Sequence, residues 1–202
     1  MTTMGETVLT GAAINGVIDT LATLRLDIFC EYPYLYRGSR EDELFYLRRY
    51  AQAPDACVIL ACEGAEVVGA ATGMPLLHED AQLQGAFAGS DYPLGEIYYV
   101  GELLLRSDFR NRGMGQRLLA QLEAHICALG CYRQMTCATV ERPDDHPLRP
   151  SSFIPITRFL ARTGFVPLPE VSTCFTWCET DGIQRDHHMQ FWLKQLPVVT
   201  GS

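Results

Sequence analysis

The sequence has no long hydrophobic run and no excess of basic residues. No apolar stretch approaches the roughly 20 residues that a helix needs to cross a bilayer, and residues 1–6 lack the basic and apolar regions of a secretory signal. Sixteen basic residues against 24 acidic ones give a net charge of −8, whereas phosphate binding requires a basic face. We therefore expect a cytoplasmic protein that binds neither a membrane nor nucleic acid.

The eight cysteines do not have the spacing of a metal site. No two of them form a CxxC pair, and no histidine follows them at zinc-finger spacing. In a reducing compartment such cysteines pack as small buried hydrophobes. His187 and His188 are predicted to be ordinary residues at the start of a strand, so no metal ion is expected.

What the chain does have is the composition of a globular protein. Hydrophobic residues make up 48% and charged residues 20% of its 202 positions, which is typical of a soluble domain with a full core. No internal repeat, low-complexity tract or linker interrupts it. We predict a single domain over residues 1–202.

Hydrophobic periodicity predicts alternating helices and strands. Ser39 before three acidic residues is typical of a helix start, and Gly130 and Gly164 are typical of helix ends. No regular structure is predicted for residues 76–94, which glycines and prolines interrupt. The predicted helices cover residues 14–29, 39–53, 113–129 and 155–163, and the predicted strands cover 57–62, 67–72, 97–105, 133–140, 172–179 and 188–194. This order predicts a mixed α/β fold.

The junction between the strand at 97–105 and the following helix has an unusual composition. Helices favour Asp or Glu in the first turn, because the N-terminus carries unpaired N–H groups and the positive end of the dipole. This helix instead has Arg110, Arg112 and Arg117 around its start, with Gly113 and Gly115 where a capping side chain would lie. Such a turn is favourable when an anion such as a phosphate completes it. An ordinary glycine turn with solvated arginines is the alternative that these residues leave open.

These residues resemble those of a known family. The run Arg-Asn-Arg-Gly-Met-Gly at 110–115 is similar to the (Gln/Arg)-x-x-Gly-x-(Gly/Ala) signature of GCN5-related N-acetyltransferases, the GNAT family. The three leucines at 103–105 resemble that family's apolar strand end, and residues 163–165 resemble its later Gly-Phe element. The resemblance extends over residues 41–194. A narrower bacterial group is similar at 98–102, at 145–150 and at Phe191-Trp192.

The resemblance implies a fold and a co-substrate. The implied fold is α/β, with a mostly antiparallel central sheet of six to seven strands that is splayed at the cofactor site and flanked by about four helices. The co-substrate would be acetyl-CoA, with its pyrophosphate on backbone N–H groups and its pantetheine arm along the strand end. A backbone N–H near Leu104 would stabilise the developing oxyanion. The residues implied to bind acetyl-CoA are Leu103, Leu104, Leu105, Arg110, Asn111, Arg112, Gly113, Met114 and Gly115.

The attacking amine must lose a proton, so a carboxylate or a histidine is expected near the thioester. Glu102 is the first candidate for this general base, because it lies on the strand beside the implied acetyl position. It could equally be an exposed strand carboxylate or the partner of an arginine. Glu96, Glu141 and His146 are the alternatives.

The sequence departs from the family pattern at the general acid. Many relatives have a tyrosine four residues before the later Gly-Phe element, where this chain has Leu160. The thiolate therefore leaves without that acid, or Tyr98, Tyr99 or a water molecule takes its place.

The expected function is acetyl transfer from acetyl-CoA to a primary amine of a small molecule or peptide by direct attack on the thioester. A set of carboxylates predicted to line the acceptor mouth favours a cationic acceptor, with Tyr98, Tyr99 and Phe153 as apolar walls. A CoA-binding sensory domain without catalysis is the alternative, and a homodimer is left open. A nucleotide enzyme fits less well, because no Lys-Ser/Thr pair follows Gly115. The carboxylates predicted to line the acceptor mouth are Glu96, Glu102, Glu141, Asp144 and Asp145.

Overall fold

Seven strands form one sheet in the computed structural model of the protein, which describes residues 4–197. Their spatial order is β1-β2-β3-β4-β5-β7-β6. Neighbouring strands are antiparallel except for β4 and β5, which are parallel. The strands are β1 (Met4–Thr10), β2 (Cys57–Glu63), β3 (Glu66–Pro75), β4 (Ile97–Leu105), β5 (Gln134–Val140), β6 (Val166–Cys178) and β7 (Gln184–Gln195).

Helices flank this sheet on both faces. Side chains of a strand alternate between the two faces, so Val58 and Leu60 of β2 join a core with α1 and α2, whereas Ile59 and Ala61 join a core with α4. No helix between residues 4 and 197 is both long and apolar enough to cross a membrane. The α-helices in this range are α1 (Ile18–Phe29), α2 (Arg40–Gln52), α3 (Ala81–Gly85), α4 (Met114–Leu129) and α5 (Ile156–Arg162).

The sheet opens between its two parallel strands. β4 and β5 pair only from Ile97–Gln134 to Tyr99–Thr136, although β4 continues to Leu105 and β5 to Val140. Beyond Tyr99 the β5 side of β4 therefore has no strand partner within residues 4–197. This gap is the splay that the family resemblance implied.

The predicted fold class is confirmed, with seven strands in a mostly antiparallel sheet. Ser39 caps α2 as expected, since its Oγ accepts the N–H of Asp42 at 3.1 Å, and Gly130 ends α4 in the left-handed region at φ +73°. The prediction of one domain over residues 1–202 stays a prediction.

Several boundaries were wrong for identifiable physical reasons. Strand β1 was missed because it is an edge strand with little apolar periodicity, and Val8 is 50% exposed. The segment predicted as the start of the first helix is a 3-10 helix, Gly11–Val17, in which Asn15 and Gly16 are poor α-helix formers. Residues 76–94, for which no regular structure was predicted, contain the 3-10 turn Leu76–His78 and α3, and a second 3-10 turn, Leu94–Glu96, begins at the end of this segment.

Candidate active site

A bulge in β4 lies at the point where the sheet opens. Thr72 of β3 pairs with Glu102, whereas the next residue, Gly73, pairs with Val100, so Gly101 is an extra residue in β4. Only glycine fits there, because a Cβ on Gly101 would lie 1.9 Å from the Tyr50 hydroxyl oxygen. The bulge re-aims the strand next to the splay, a common device near active sites.

The helix that follows β4 begins without a capping side chain. Gly113 at the N-cap has φ +77°, and no acidic residue lies in the first turn of α4. Asn111 also has a positive φ, +61°, a conformation that asparagine tolerates better than most residues. The first N–H groups of a helix have no intrahelical acceptor. The turn at 110–115 therefore presents free backbone donors and the positive end of the dipole, which suit a phosphate.

The arginines around this turn have protein partners. Arg110 donates from Nε to the carbonyl of Leu105 at 2.9 Å and pairs with Glu31 at 2.8 Å. Arg117 pairs with Glu6, and the Arg112 guanidinium lies 5.6 Å from the ring centre of Phe109. Arg110 therefore fixes the turn itself, which sequence reasoning did not foresee. The backbone N–H groups at the start of α4, which no side chain caps, are the clearest anion-binding feature of the turn.

The strand end at residues 103–105 has one free edge. Leu103, Leu104 and Leu105 pair with Ala71, Ala70 and Gly69 of β3 on one side. Their other side faces the gap left by β5. An extended ligand arm can add to this edge as a further strand would.

A cavity of about 280 Å³ lies on the α1–α2 side of the same gap. We call it the aromatic cavity, because seven of the sixteen residues that line it are aromatic. Gly101 of β4 and Ala138 of β5 both line it, so it reaches the two strands on either side of the splay. Its aromatic residues are Phe29, Tyr34, Tyr36, Tyr46, Tyr99, Phe175 and Trp177, and its charged residues are Arg25, Arg49, Glu79, Asp80 and Glu102.

Glu102 is buried in this wall and has several donors. Its Oε1 accepts from Arg25 Nη1, and its Oε2 accepts from the hydroxyl of Thr72 and, at 3.4 Å, from that of Tyr50. Its side chain is 1% exposed. Burial raises the pKa of Glu102, and the charge of Arg25 opposes this effect. Of the two alternatives to a general base, an exposed carboxylate and the partner of an arginine, the structure shows the second. The role of Glu102 as a base stays a prediction.

Glu79 is a second buried carboxylate in the wall, and it has fewer partners. Its Oε2 accepts from the backbone N–H of Asp80 at 3.1 Å and from Arg49 Nη2 at 3.3 Å. No group within residues 4–197 donates to Oε1, although that atom is buried. Burial raises the pKa of Glu79 to about 7, and the charge of Arg49 opposes this effect.

The rear of the cavity is a fixed aromatic wall. Trp177 donates from Nε1 to the carbonyl of Tyr34 at 3.0 Å, and its ring stacks on His187 with centres 3.6 Å apart. Burial lowers the pKa of His187, so this ring is neutral at pH 7. Arg142 pairs with Glu179 at 2.6 Å and donates to the carbonyl of Tyr34 at 3.0 Å. The hydrogen bonds to the Tyr34 carbonyl and the stacking of Trp177 on His187 thus hold this part of the wall in place.

Several residues singled out in the sequence lie elsewhere. Glu141 pairs with His188 at 2.7 Å, and Glu96 is exposed. The Tyr98 hydroxyl donates to the carbonyl of Gly73 at 2.9 Å and is buried. None of these three predicted residues lines the aromatic cavity, whereas Tyr99 does.

The loop after β5 is also separate from the cavity. His146 packs on Tyr32, with ring centres 5.5 Å apart, and Phe153 packs on the same tyrosine at 4.7 Å. Asp144 pairs with Arg149, and Asp145 is exposed. Of the five carboxylates expected at the acceptor mouth, the cavity wall contains only Glu102.

Leu160 is a packing residue of α5. It is 5% exposed and belongs to the same core cluster as Phe165. No group of three or more His, Cys, Asp or Glu side chains between residues 4 and 197 is arranged to hold a metal ion.

Sequence reasoning missed Arg25, Glu79 and Trp177. The pair Glu79-Asp80 gave the only local signal, and it is typical of a helix start, since Asp80 Oδ1 accepts the N–H of Gln82 at 2.8 Å. Nothing in the local sequence distinguishes Glu79 from an ordinary residue before a cap.

Comparison with known proteins shows the family of the chain. Residues 22–148 match the Acetyltransferase (GNAT) family, and the chain belongs to that family. No curated protein matches the sequence.

Solved structures share the fold at low identity. An acetyltransferase from Thermus thermophilus is 16% identical, with a TM-score of 0.59 over 97% of this chain and 100% of that one. Ribosomal-protein-alanine N-acetyltransferase from Brucella melitensis is 14% identical, with a TM-score of 0.59 over 94% and 99%. The protein yncA of Salmonella typhimurium, solved with its cofactor acetyl-CoA, is 11% identical, with a TM-score of 0.58 over 98% of each chain.

Proposed function

We propose that this protein transfers an acetyl group from acetyl-CoA to a primary amine of a small molecule or peptide. The observation that carries the proposal is the aromatic cavity that opens at the splay between β4 and β5. Gly101 and Ala138 bring both strands to its wall, so a thioester that enters through the gap meets an acceptor held in the cavity.

The region beside the gap suits acetyl-CoA as the donor. The uncapped start of α4 supplies backbone N–H groups for the pyrophosphate, and the free edge of Leu103–Leu105 supplies main-chain partners for the pantetheine arm. The Salmonella typhimurium relative of the same fold was solved with acetyl-CoA. The nine residues proposed to bind acetyl-CoA are Leu103, Leu104, Leu105, Arg110, Asn111, Arg112, Gly113, Met114 and Gly115.

The cavity wall suits an acceptor with an ammonium group on an apolar body. Its rings give apolar contact area and faces that attract a cation. Three carboxylates and two arginines line it, so it carries no positive excess when all five are ionised. A primary amine is therefore favoured over a carboxylate-bearing acceptor.

The reaction requires an attack of the neutral amine on the carbonyl carbon of the thioester. A backbone N–H near Leu104 is proposed to stabilise the oxyanion that develops. Glu102 at the bulge is the base that the sequence predicts, and Glu102→Gln is the variant that tests it. Because Leu160 is buried and apolar, a water molecule or Tyr99 is left to protonate the thiolate.

A non-catalytic CoA-binding domain is the second candidate, and Leu160 in place of the usual tyrosine is the observation that favours it. A thiol-release assay with acetyl-CoA separates the two functions when arylalkylamines, polyamines, amino acids and peptides are compared as acceptors. Catalysis predicts thiol release that depends on the amine, with arylalkylamines ahead of amino acids. Tight acetyl-CoA binding by calorimetry, without release for any acceptor, would establish the sensory alternative.

A further inference from the structure

Two of the three carboxylates in the wall of the aromatic cavity, Glu79 and Glu102, are buried, and their bonding is very different. Both oxygens of Glu102 are occupied, by Arg25 on one side and by the hydroxyls of Thr72 and Tyr50 on the other. Among the described residues, Glu79 has donors on Oε2 only. A buried carboxylate oxygen without a donor is unfavourable unless a further group completes it. Of these two buried carboxylates, Glu102 thus has a donor on each oxygen, whereas Oε1 of Glu79 lacks a donor within residues 4–197.

The cation that pairs with Glu79, Arg49, is a weak partner for its carboxylate. Arg49 Nη2 is 3.3 Å from Oε2 and also donates to the carbonyl of His78 at 3.1 Å. The Arg49 side chain is 28% exposed, whereas that of Glu79 is 0% exposed. The cation is therefore shared and partly hydrated, while the carboxylate is fully desolvated. Burial disfavours the charged carboxylate more than this cation favours it, so the pKa of Glu79 is raised.

The position of Glu79 is set by the segment between β3 and β4. It directly follows the 3-10 turn Leu76–His78, which is anchored by the fully buried Leu76 in a cluster with Tyr99 of β4. Glu79 and Tyr99 line the same cavity as Gly101 at the bulge. The carboxylate is therefore held on rigid elements beside the opening of the sheet.

We propose that Glu79, and not Glu102, takes the proton from the ammonium group of the acceptor. This inference rests on the acetyl transfer proposed above. Glu102 then acts as a positioning residue, since its carboxylate holds Arg25 and with it the wall of the cavity. The ammonium N–H supplies the donor that Oε1 of Glu79 lacks, so the same contact binds the acceptor and prepares it for reaction.

The protons and bonds of this reaction balance. One proton passes from the ammonium nitrogen to Glu79 and then to solvent, which leaves a lone pair on nitrogen. That pair forms the C–N bond at the thioester carbon, and the C–S bond breaks with its electrons on sulfur. The nitrogen releases its second proton to solvent, and the thiolate takes a proton from a water molecule or from Tyr99, as proposed above. The products are the amide and free CoA.

A base that works near neutral pH needs a pKa close to 7, and the groups around Glu79 set that value. Burial is the largest cause and raises the pKa of Glu79. The charge of Arg49 and the backbone N–H of Asp80 lower it, while the charges of Glu102 and of the Asp80 carboxylate raise it. Tyr46 of α2 and Tyr99 of β4 also face it, and burial raises the pKa of both hydroxyls well above their usual range. They stay neutral across the working range. Burial also raises the pKa of Glu102, against the charge of Arg25, so the variants below distinguish the two carboxylates.

The test is the pH dependence of kcat/KM for Glu79→Gln, Glu102→Gln and Glu170→Gln. Glu170 is exposed on β6 and outside the cavity wall, so its exchange controls for the loss of one charge. Wild type should show a rising limb centred near pH 7. Glu79→Gln should lose this limb and lower kcat about 10²-fold or more, with an unchanged KM for acetyl-CoA. Glu102→Gln and Glu170→Gln should keep the limb.

Two further measurements separate a base from a structural carboxylate. An acceptor with a different amine pKa should leave the limb near pH 7 in place, because the limb belongs to the enzyme. Added formate should restore part of the rate of Glu79→Ala, because it replaces the missing carboxylate. A Glu79→Gln enzyme that keeps both its rate and its limb would overturn the inference while acetyl transfer stands. A wild type that acetylates no amine would overturn the proposed function itself.

Discussion

Arg25 Nη1 on α1 donates to Oε1 of Glu102 on β4, in the wall of the aromatic cavity. The same guanidinium donates from Nε to Glu43 on α2, so one cation joins two helices to the strand that carries the bulge. It also lies 4.5 Å from the ring centre of Tyr46, which lines the cavity. The geometry of the site and the packing of these helices therefore depend on the same buried charge.

Replacing this cation should destabilise the fold strongly. Arg25→Met leaves two carboxylates unpaired whose side chains are only 2% and 1% exposed. Breaking a buried pair in this way costs about 3–5 kcal/mol, which urea unfolding at pH 7 would measure. The loss should shrink at low pH, because protonation removes the unpaired charges.

Arg40→Met is the matched control for that experiment. Arg40 also joins α2 to α1, through Asp19, but the two side chains are 52% and 74% exposed. Exposed pairs contribute no more than about 1 kcal/mol. Equal losses for the two variants would contradict the importance given to the buried pair.

The bulge makes a second prediction that has a built-in rescue. Gly101→Ala should destabilise the protein, because its Cβ would lie 1.9 Å from the Tyr50 hydroxyl oxygen. In a Tyr50→Phe background that atom is gone, and the nearest remaining atoms are 3.2 Å away. The alanine should then cost much less, so unfolding free energies of the four proteins should show a coupling of about 1 kcal/mol or more. Additive losses would mean that the bulge tolerates a side chain.

Local patterns made one half of the site predictable. The turn at 110–115 and helix α4 follow from glycine positions, the missing acidic cap and helical periodicity, all within about 20 residues of sequence. The implied strand end at Leu103–Leu105 lies at the splay, as the family resemblance required. These features depend on neighbours in the chain, and sequence reasoning detects such neighbours well.

The acceptor half was not predictable in the same way. Arg25 and Glu102 are 77 residues apart in the sequence, and the pairing of Arg49 with Glu79 spans 30 residues. Glu79 belongs to a stretch without periodicity, so no pattern placed it beside β4. Trp177 was assigned to a strand without any indication that it faced a cavity. Such contacts are set by tertiary packing alone.

A third prediction concerns the turn at 110–115, where a substitution can add a negative charge without disturbing the packing. A Cβ on Gly115 would have only Leu103 Cδ2 nearby, at 3.9 Å, so a side chain fits. Gly115→Asp should keep or raise the stability of the free protein, because an acidic residue favours a helix N-terminus. It should abolish the rise in Tm with acetyl-CoA, which in wild type corresponds to about 2.7 kcal/mol at 100 times Kd.

Gly115→Asn has the same size without the charge and is the control. It should keep more of the acetyl-CoA shift than the aspartate variant. A full shift in Gly115→Asp would contradict the assignment of this turn to the pyrophosphate, and equal losses in both variants would point to side-chain bulk instead of charge.

The last prediction concerns stability and follows from the burial of Glu79. Burial raises the pKa of this carboxyl from 4.5 to about 7, so the folded state holds a proton that the unfolded state has released. Folding stability from this group is therefore present below pH 4.5 and is lost as the pH rises through 7. At about 1.4 kcal/mol per pH unit the loss is about 3 kcal/mol. Glu79→Gln cannot ionise, so its free energy of unfolding, measured in urea from pH 4 to pH 8, should fall by about that much less than the wild-type value. Parallel curves for the two proteins would show that Glu79 ionises at an ordinary pKa, and a base that titrates near pH 7 would then have to be sought elsewhere in the cavity wall.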